Sequence, residues 1–138
     1  MGLFDKLTGS RNAQLTPKSA LVLSALTVVA ADGVLDEAEI GDLAKIVRGD
    51  RNAVNTAIQV LKANALPDAI ALAANCLNEK QKITTIAILI DLAMSDGVLA
   101  GNEQKLIQQY IEKFGISEDV LKPIFETIGI KNDFSVFT

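Results

Sequence analysis

Two stretches of the chain are apolar on nearly every side, and the segments around them carry apolar residues at every third or fourth position. Thr16-Pro17 is a helix start, with Thr16 as N-cap and Pro17 in the first turn. The helix it opens, to about Ala31, holds Leu21, Val22, Leu23, Leu26, Val28 and Val29, and a helix apolar all round belongs inside a bundle. A fifth predicted helix, about Lys80 to Met94, has the same character through Ile83, Ile86, Ile88, Leu89, Ile90 and Leu92. Both are expected to be the most buried elements and to lie side by side.

Amphipathic segments fill the rest. The second predicted helix, about Glu37 to Arg48, places Ile40, Leu43, Ala44 and Val47 on one face. A third, about Asn52 to Ala63, does so with Val54, Ala57, Ile58 and Leu61. Leu66-Pro67-Asp68 reads as a break, followed by a short fourth helix with Ile70, Ala73, Ala74 and Leu77. A sixth, about Asn102 to Phe114, carries Leu106, Ile107, Tyr110 and Ile111 and is closed by Gly115. Ser117 caps a seventh helix with Val120, Leu121, Ile124, Phe125 and Ile128. From Gly129 a tail with Phe134, Val136 and Phe137 is expected to dock on the core. No stretch alternates with a period of two, so the fold class is all-α with about seven helices. Residues 1–15 read as an N-terminal arm, with Leu3, Phe4 and Leu7 on one face, and residues 16–138 as a single helical domain.

One motif recurs. Ala31-Asp32-Gly33-Val34-Leu35 and Ser95-Asp96-Gly97-Val98-Leu99 superimpose with an offset of 64 residues (32 to 96), which also aligns Glu39 with Glu103 and Leu43 with Ile107. Each copy reads as apolar helix, acidic turn, amphipathic helix. The expected architecture is therefore two such units, related by a pseudo-twofold around the two apolar helices.

Composition narrows the chemistry. At 138 residues the chain is long enough for a core of its own, and with 4% aromatic residues that core must be Leu, Ile, Val and Ala. The chain contains no histidine, which removes His-dependent triads and His metal sites. Its one cysteine, Cys76, excludes an internal disulfide and a cysteine zinc cluster, and its alanine-rich flanks predict a buried small hydrophobe. A net charge of −4 without a basic run argues against nucleic acid. No segment approaches the roughly 20 apolar residues that span a bilayer, and no leader is visible, so a cytoplasmic protein is expected.

The two turns carry the candidate chemistry. A calcium loop of about 12 residues places an acid at its fifth position, Gly at the sixth and Glu at the twelfth. Residues 28–39 supply Asp32, Gly33, Asp36 and Glu39, but Val28 and Ala30 stand where the first ligands belong. Residues 92–103 supply Asp96, Gly97 and Glu103, with Leu92, Met94 and Ala100 at ligand positions. These are half-loops. Asp91, a carboxylate in an apolar helix five residues before Asp96, needs a partner and joins the candidate set; an exposed edge, or a hydrogen bond from Thr27 or Ser95, would satisfy it equally. The metal candidates are thus Asp32, Asp36, Glu39, Asp96, Glu103 and Asp91, all oxygen donors suited to calcium, magnesium or manganese. Capping is the plain alternative: Asp36 as N-cap with Glu39 at the third helical position, and Asp32-Gly33 as a turn. The acids from Asp32 to Asp42 also form either a solvated face or a docking patch for a basic partner.

At these residues the sequence resembles the TerB (tellurite-resistance B) family: Ala31-Asp32-Gly33 with Glu39, Ser95-Asp96-Gly97 with Glu103, the Phe4-Asp5-Lys6 start and Phe114-Gly115-Ile116. The resemblance implies an all-helical fold with internal pseudo-twofold symmetry and an acidic metal cluster at Asp32, Glu39, Asp96 and Glu103. It also implies a bacterial tellurite-resistance and stress-response role beside protein partners, among them an inner-membrane complex. Ala100, Gly101 and Asn102 stand where family members often carry further acids. The expected function is a non-enzymatic, cation-linked interaction module of open oligomeric state. Its rivals are a two-cation carboxylate hydrolase using Asp32, Glu39, Asp91, Asp96 and Glu103, and a purely structural helical domain.

Overall fold

A computed structural model describes residues 14–32, 37–94 and 101–138. Among these residues there are seven α-helices and two short 3-10 turns, and no strand. The helices are α1 (Pro17–Val29), α2 (Glu37–Ile46), α3 (Arg51–Ala63), α4 (Leu66–Cys76), α5 (Glu79–Met94), α6 (Gly101–Phe114) and α7 (Glu118–Asn132). The 3-10 turns are Ala30–Asp32 and Phe134–Phe137.

α1 is the axis of the molecule. Thr16 caps it as the sequence requires: its hydroxyl accepts from the Ser19 amide while the Ser19 hydroxyl accepts from the Thr16 amide. Nine of its thirteen residues are buried, and it packs against α2, α3, α4, α5 and α6. Two hydroxyls inside this apolar surround are satisfied by the helix itself, Ser24 donating to the Ala20 carbonyl and Thr27 to the Ser24 carbonyl. α5 lies against α1 as expected, but buries only one side, through Thr85, Ile86, Leu89, Ile90 and Ala93; Ile83 and Ile88 are half-buried. The reason is neighbours: α5 also serves as the platform for α6 and α7, and leaves part of its girth to solvent.

Several boundaries differ from the expectation. α3 begins one residue earlier because the Asp50 carboxylate accepts from the Ala53 amide. Leu66-Pro67 opens α4 instead of breaking the chain, since proline in a first turn forfeits only an amide that has no helical partner there. α7 continues through Gly129 to Asn132 and carries Pro123 within it, and the Ser117 hydroxyl makes no cap bond. Gly115, at φ +70°, ends α6 in the left-handed region, where its amide and that of Ile116 both reach the Ile111 carbonyl.

One expectation fails in part and another outright. Cys76 is half-buried, not buried; its Sγ donates to the Leu15 carbonyl at 3.4 Å, and burial raises its pKa. The tail does not dock: Phe134, Val136 and Phe137 are 69%, 74% and 82% exposed. The Asp133 carboxylate accepts from the amide and hydroxyl of Ser135, which curls the segment into its own turn rather than onto the core. The Leu3, Phe4 and Leu7 arm lies outside the described residues.

Candidate functional site

Helix boundaries carry the repeat further than the motif does. α2 begins at Glu37 and α6 at Gly101, 64 residues apart (37 to 101), so Glu39 and Glu103 both occupy the third position of their helices. Each of the two motifs therefore joins the C-terminal end of an apolar helix to the first turn of an amphipathic one. Asp32 is the last residue of the 3-10 turn that follows α1. Asp36 and Asp96 lie outside the described residues. Glu103 is half-buried in the first turn of α6.

The turn Ala30–Asp32 lies against α6, the helix that begins beside the second motif. One turn before it, Thr27 meets Tyr110 of α6 at 2.6 Å. Because the single Thr27 proton goes to the Ser24 carbonyl, the Tyr110 hydroxyl is the donor in that pair. Tyr110 is fully buried, and burial raises its pKa against the lowering effect of the Thr27 and Ser24 hydroxyls. Its ring stands edge-on to Phe114 with centroids 5.6 Å apart. This contact locks the end of α1 to α6, so the 3-10 turn bearing Asp32 and the helix bearing Glu103 are held as neighbours.

Asp91 has a different surround. Both of its carboxylate oxygens accept from the Lys131 ammonium, at 2.9 and 3.0 Å, and one also accepts from the Asn132 amide at 2.9 Å. Asn132 in turn donates to the Ile128 carbonyl, which fixes its orientation. Partial burial acts to raise the Asp91 pKa, but the bonds from Asn132 and Lys131 and the lysine charge prevail and lower it. The partner sought for this carboxylate is therefore on α7. Thr27 is engaged elsewhere and Ser95 lies outside the described residues.

Among the described residues no group of three or more acids or cysteines converges as a metal cage. The concavities found lie elsewhere. An open trough of about 690 Å³ runs between α6 and the first half of α7, floored by Ile111, Ile116, Leu121 and Phe125 and edged by Asp119 and Lys122. A second, of about 380 Å³, lies behind it among Ile83, Phe114, Ile116 and Val120. Neither is lined by Asp91 or Glu103, and no sequence signal pointed to either, because the first forms only where α6 and α7 meet around Gly115 and the second where α5 joins them.

An all-helical chain with an Asp-Gly motif repeated in sequence at matched helix junctions defines a class of small helical proteins. The family model described as "Tellurite resistance protein TerB" matches residues 18–124, most of the chain. This protein belongs to the TerB family. No curated protein and no solved structure matches the chain. Among the described residues, no helix is long and apolar enough to cross a membrane.

Proposed function

We propose that the protein is a non-enzymatic interaction module of the tellurite-resistance and stress-response type, which binds a hard divalent cation weakly at its Asp-Gly turns. It acts in the cytoplasm through protein partners at the inner face of the membrane. The observation that carries this reading is the contact between the turn ending in Asp32 and α6, the helix whose third residue is Glu103. A single half-loop offers Asp32, the Val34 carbonyl, Asp36 and Glu39, fewer donors than the six to eight that calcium takes. Alone it would bind on the order of 10⁻⁴–10⁻³ M, where the weakest natural loops lie. Sharing an ion with Asp96 and Glu103 would add ligands and tighten binding.

The test is calorimetric titration of calcium and manganese into the parent, into Asp32→Asn with Glu39→Gln, and into Asp96→Asn with Glu103→Gln. Loss of binding in both double variants supports a shared site; loss in the first alone supports a single half-loop. If several millimolar calcium or manganese gives the parent neither heat nor thermal stabilisation, the acids are caps and turn residues only. The Asp32–Asp42 face then remains as the docking surface. The rival two-cation hydrolase requires the carboxylates of both motifs to line one deep pocket, and no observation favours it.

A further inference from the structure

The chain presents an apolar projection and an apolar recess at opposite ends of one helix. Ile130, at the end of α7, is 78% exposed, and Phe134, Val136 and Phe137 follow it into solvent. The Phe134 and Phe137 rings lie 6.3 Å apart, so the two rings form one patch. At the other end of α7 lies the trough over Ile111, Ile116, Leu121 and Phe125. The rim of the trough and Ile130 share a line along the helix. Asp119, on the trough's edge, and Ile130 are eleven residues apart, which is three turns to within about 20°. Asp119, Lys122, Glu126 and Ile130 are all exposed along that line.

We infer that two copies of this chain associate through antiparallel α7 helices, each seating the Phe134–Phe137 segment in the other's trough. Seen along α7, the segment lies about 20 Å from the trough at 1.5 Å per residue, so it does not reach its own recess in this fold. A twofold axis crossing α7 near Ile128 brings residue 122 of one copy beside residue 134 of the other, and the reverse. That is the self-complementary arrangement an isologous dimer needs. Charge follows the same register: Lys122 comes beside Asp133 of the second copy, and the pairing occurs twice. Area agrees. With two phenylalanines at 150–250 Å² each, the four exposed residues offer on the order of 600 Å². Two copies then reach about 1,200 Å², the lower bound of stable specific interfaces. A patch of this size stands at the upper end of the roughly 300–600 Å² that the largest patch of a typical monomer reaches, and such patches are often functional.

Sedimentation velocity of the full chain, from a few micromolar to several hundred, tests the inference together with cysteine trapping. The parent is expected to show a reversible, concentration-dependent dimer. Phe134→Asp with Phe137→Asp should weaken it roughly 30-fold or more, the loss typical of central anchor residues, with an unchanged helical circular dichroism spectrum. In a Cys76→Ser background, Lys122→Cys with Phe134→Cys should form a disulfide-linked dimer under mild oxidation. The two positions on one copy are too far apart for the approach of less than about 7 Å between Cα atoms that a disulfide requires. A parent that stays monomeric throughout the range overturns the inference. So does a dimer that survives the double aspartate substitution, or a cysteine variant that yields only monomer. Sedimentation of a monomeric parent with anionic phospholipid vesicles, abolished by the same aspartates, would also overturn it, assigning the patch to a membrane. None of these readouts depends on calcium, so failure here leaves the cation reading intact.

Discussion

α1 and α7 are of similar length, thirteen and fifteen residues, yet nine residues of the first are buried and only two of the second, Leu121 and Ile128. Apolar content alone does not account for the contrast, since α7 also carries Val120, Ile124, Phe125 and Ile130. What differs is the company each helix keeps. α1 is met by five other helices, whereas α7 rests chiefly on α5. A helix at the axis must present small or apolar side chains in every direction and must satisfy any hydroxyl locally, as Ser24 and Thr27 do. A helix at the edge needs one apolar stripe, and any further apolar residue is free to serve another surface. The comparison therefore separates residues that hold the fold from residues that the fold displays.

The sharpest way to break it is truncation at each place. Leu26 is fully buried in α1, and Leu26→Ala should cost about 2–5 kcal/mol through lost burial and the cavity left behind. Leu89→Ala in α5 should cost a similar amount, because Leu89 sits on the buried side of a helix that is otherwise half open. Phe134→Ser, measured in protein dilute enough to be monomeric, should shift stability by no more than about 0.5 kcal/mol, since its ring is largely in water. Urea denaturation followed by circular dichroism reads all three. Equal losses at Leu26 and Phe134 would erase the distinction between the axis and the edge.

Tyr110→Phe probes how α1 is tied to its surround at an intermediate scale. The substitution removes the hydrogen bond to Thr27 but leaves the ring and its contact with Phe114. Thr27 keeps its bond to the Ser24 carbonyl, so a loss of about 0.5–1.5 kcal/mol is expected. The raised Tyr110 pKa sets a pH dependence as well. The contribution is complete below the unfolded tyrosine value of about 10 and is lost as pH rises through the higher folded value. Alkaline unfolding of the parent should therefore be steeper than that of Tyr110→Phe.

This contrast also explains what the sequence disclosed. α1 was legible because an all-round apolar helix has one physical home, and its start after Thr16 followed from capping chemistry. The end of α7 was not. Gly129 reads as a stop, but glycine inside a helix costs only about 1 kcal/mol and does not by itself end one, and α7 continues to Asn132. The phenylalanines after it were assigned to the core because apolar residues usually are, and no local pattern tells a displayed patch from a buried one. At the candidate site, the repeat revealed which residues correspond. The position of the 3-10 turn on α6 did not follow from it, since it depends on the long-range Thr27–Tyr110 pairing.

A small effect is expected at the joint between the two environments. Asp91 belongs to the inner α5, and the groups that hold it, Lys131 and Asn132, belong to the edge helix forty residues on. The carboxylate is 37% exposed and the lysine 63%, so solvent screens the pair, and Asp91→Asn should cost only about 0.2–1 kcal/mol. Its pH signature is distinctive even so. The folded pKa lies below the usual carboxylate value, so the folded state holds the charged form more tightly than the unfolded chain does. The contribution is complete above the unfolded value of about 3.9 and fades as pH falls through the folded one. The stability difference between parent and Asp91→Asn should therefore be constant near neutrality, shrink below about pH 4, and narrow at every pH as salt is raised. Amide exchange should localise the loss to the last turn of α7, leaving α1 as protected as in the parent. If protection falls in α1 as well, the edge helix is coupled to the axis, and α7 is part of the framework rather than a surface laid upon it.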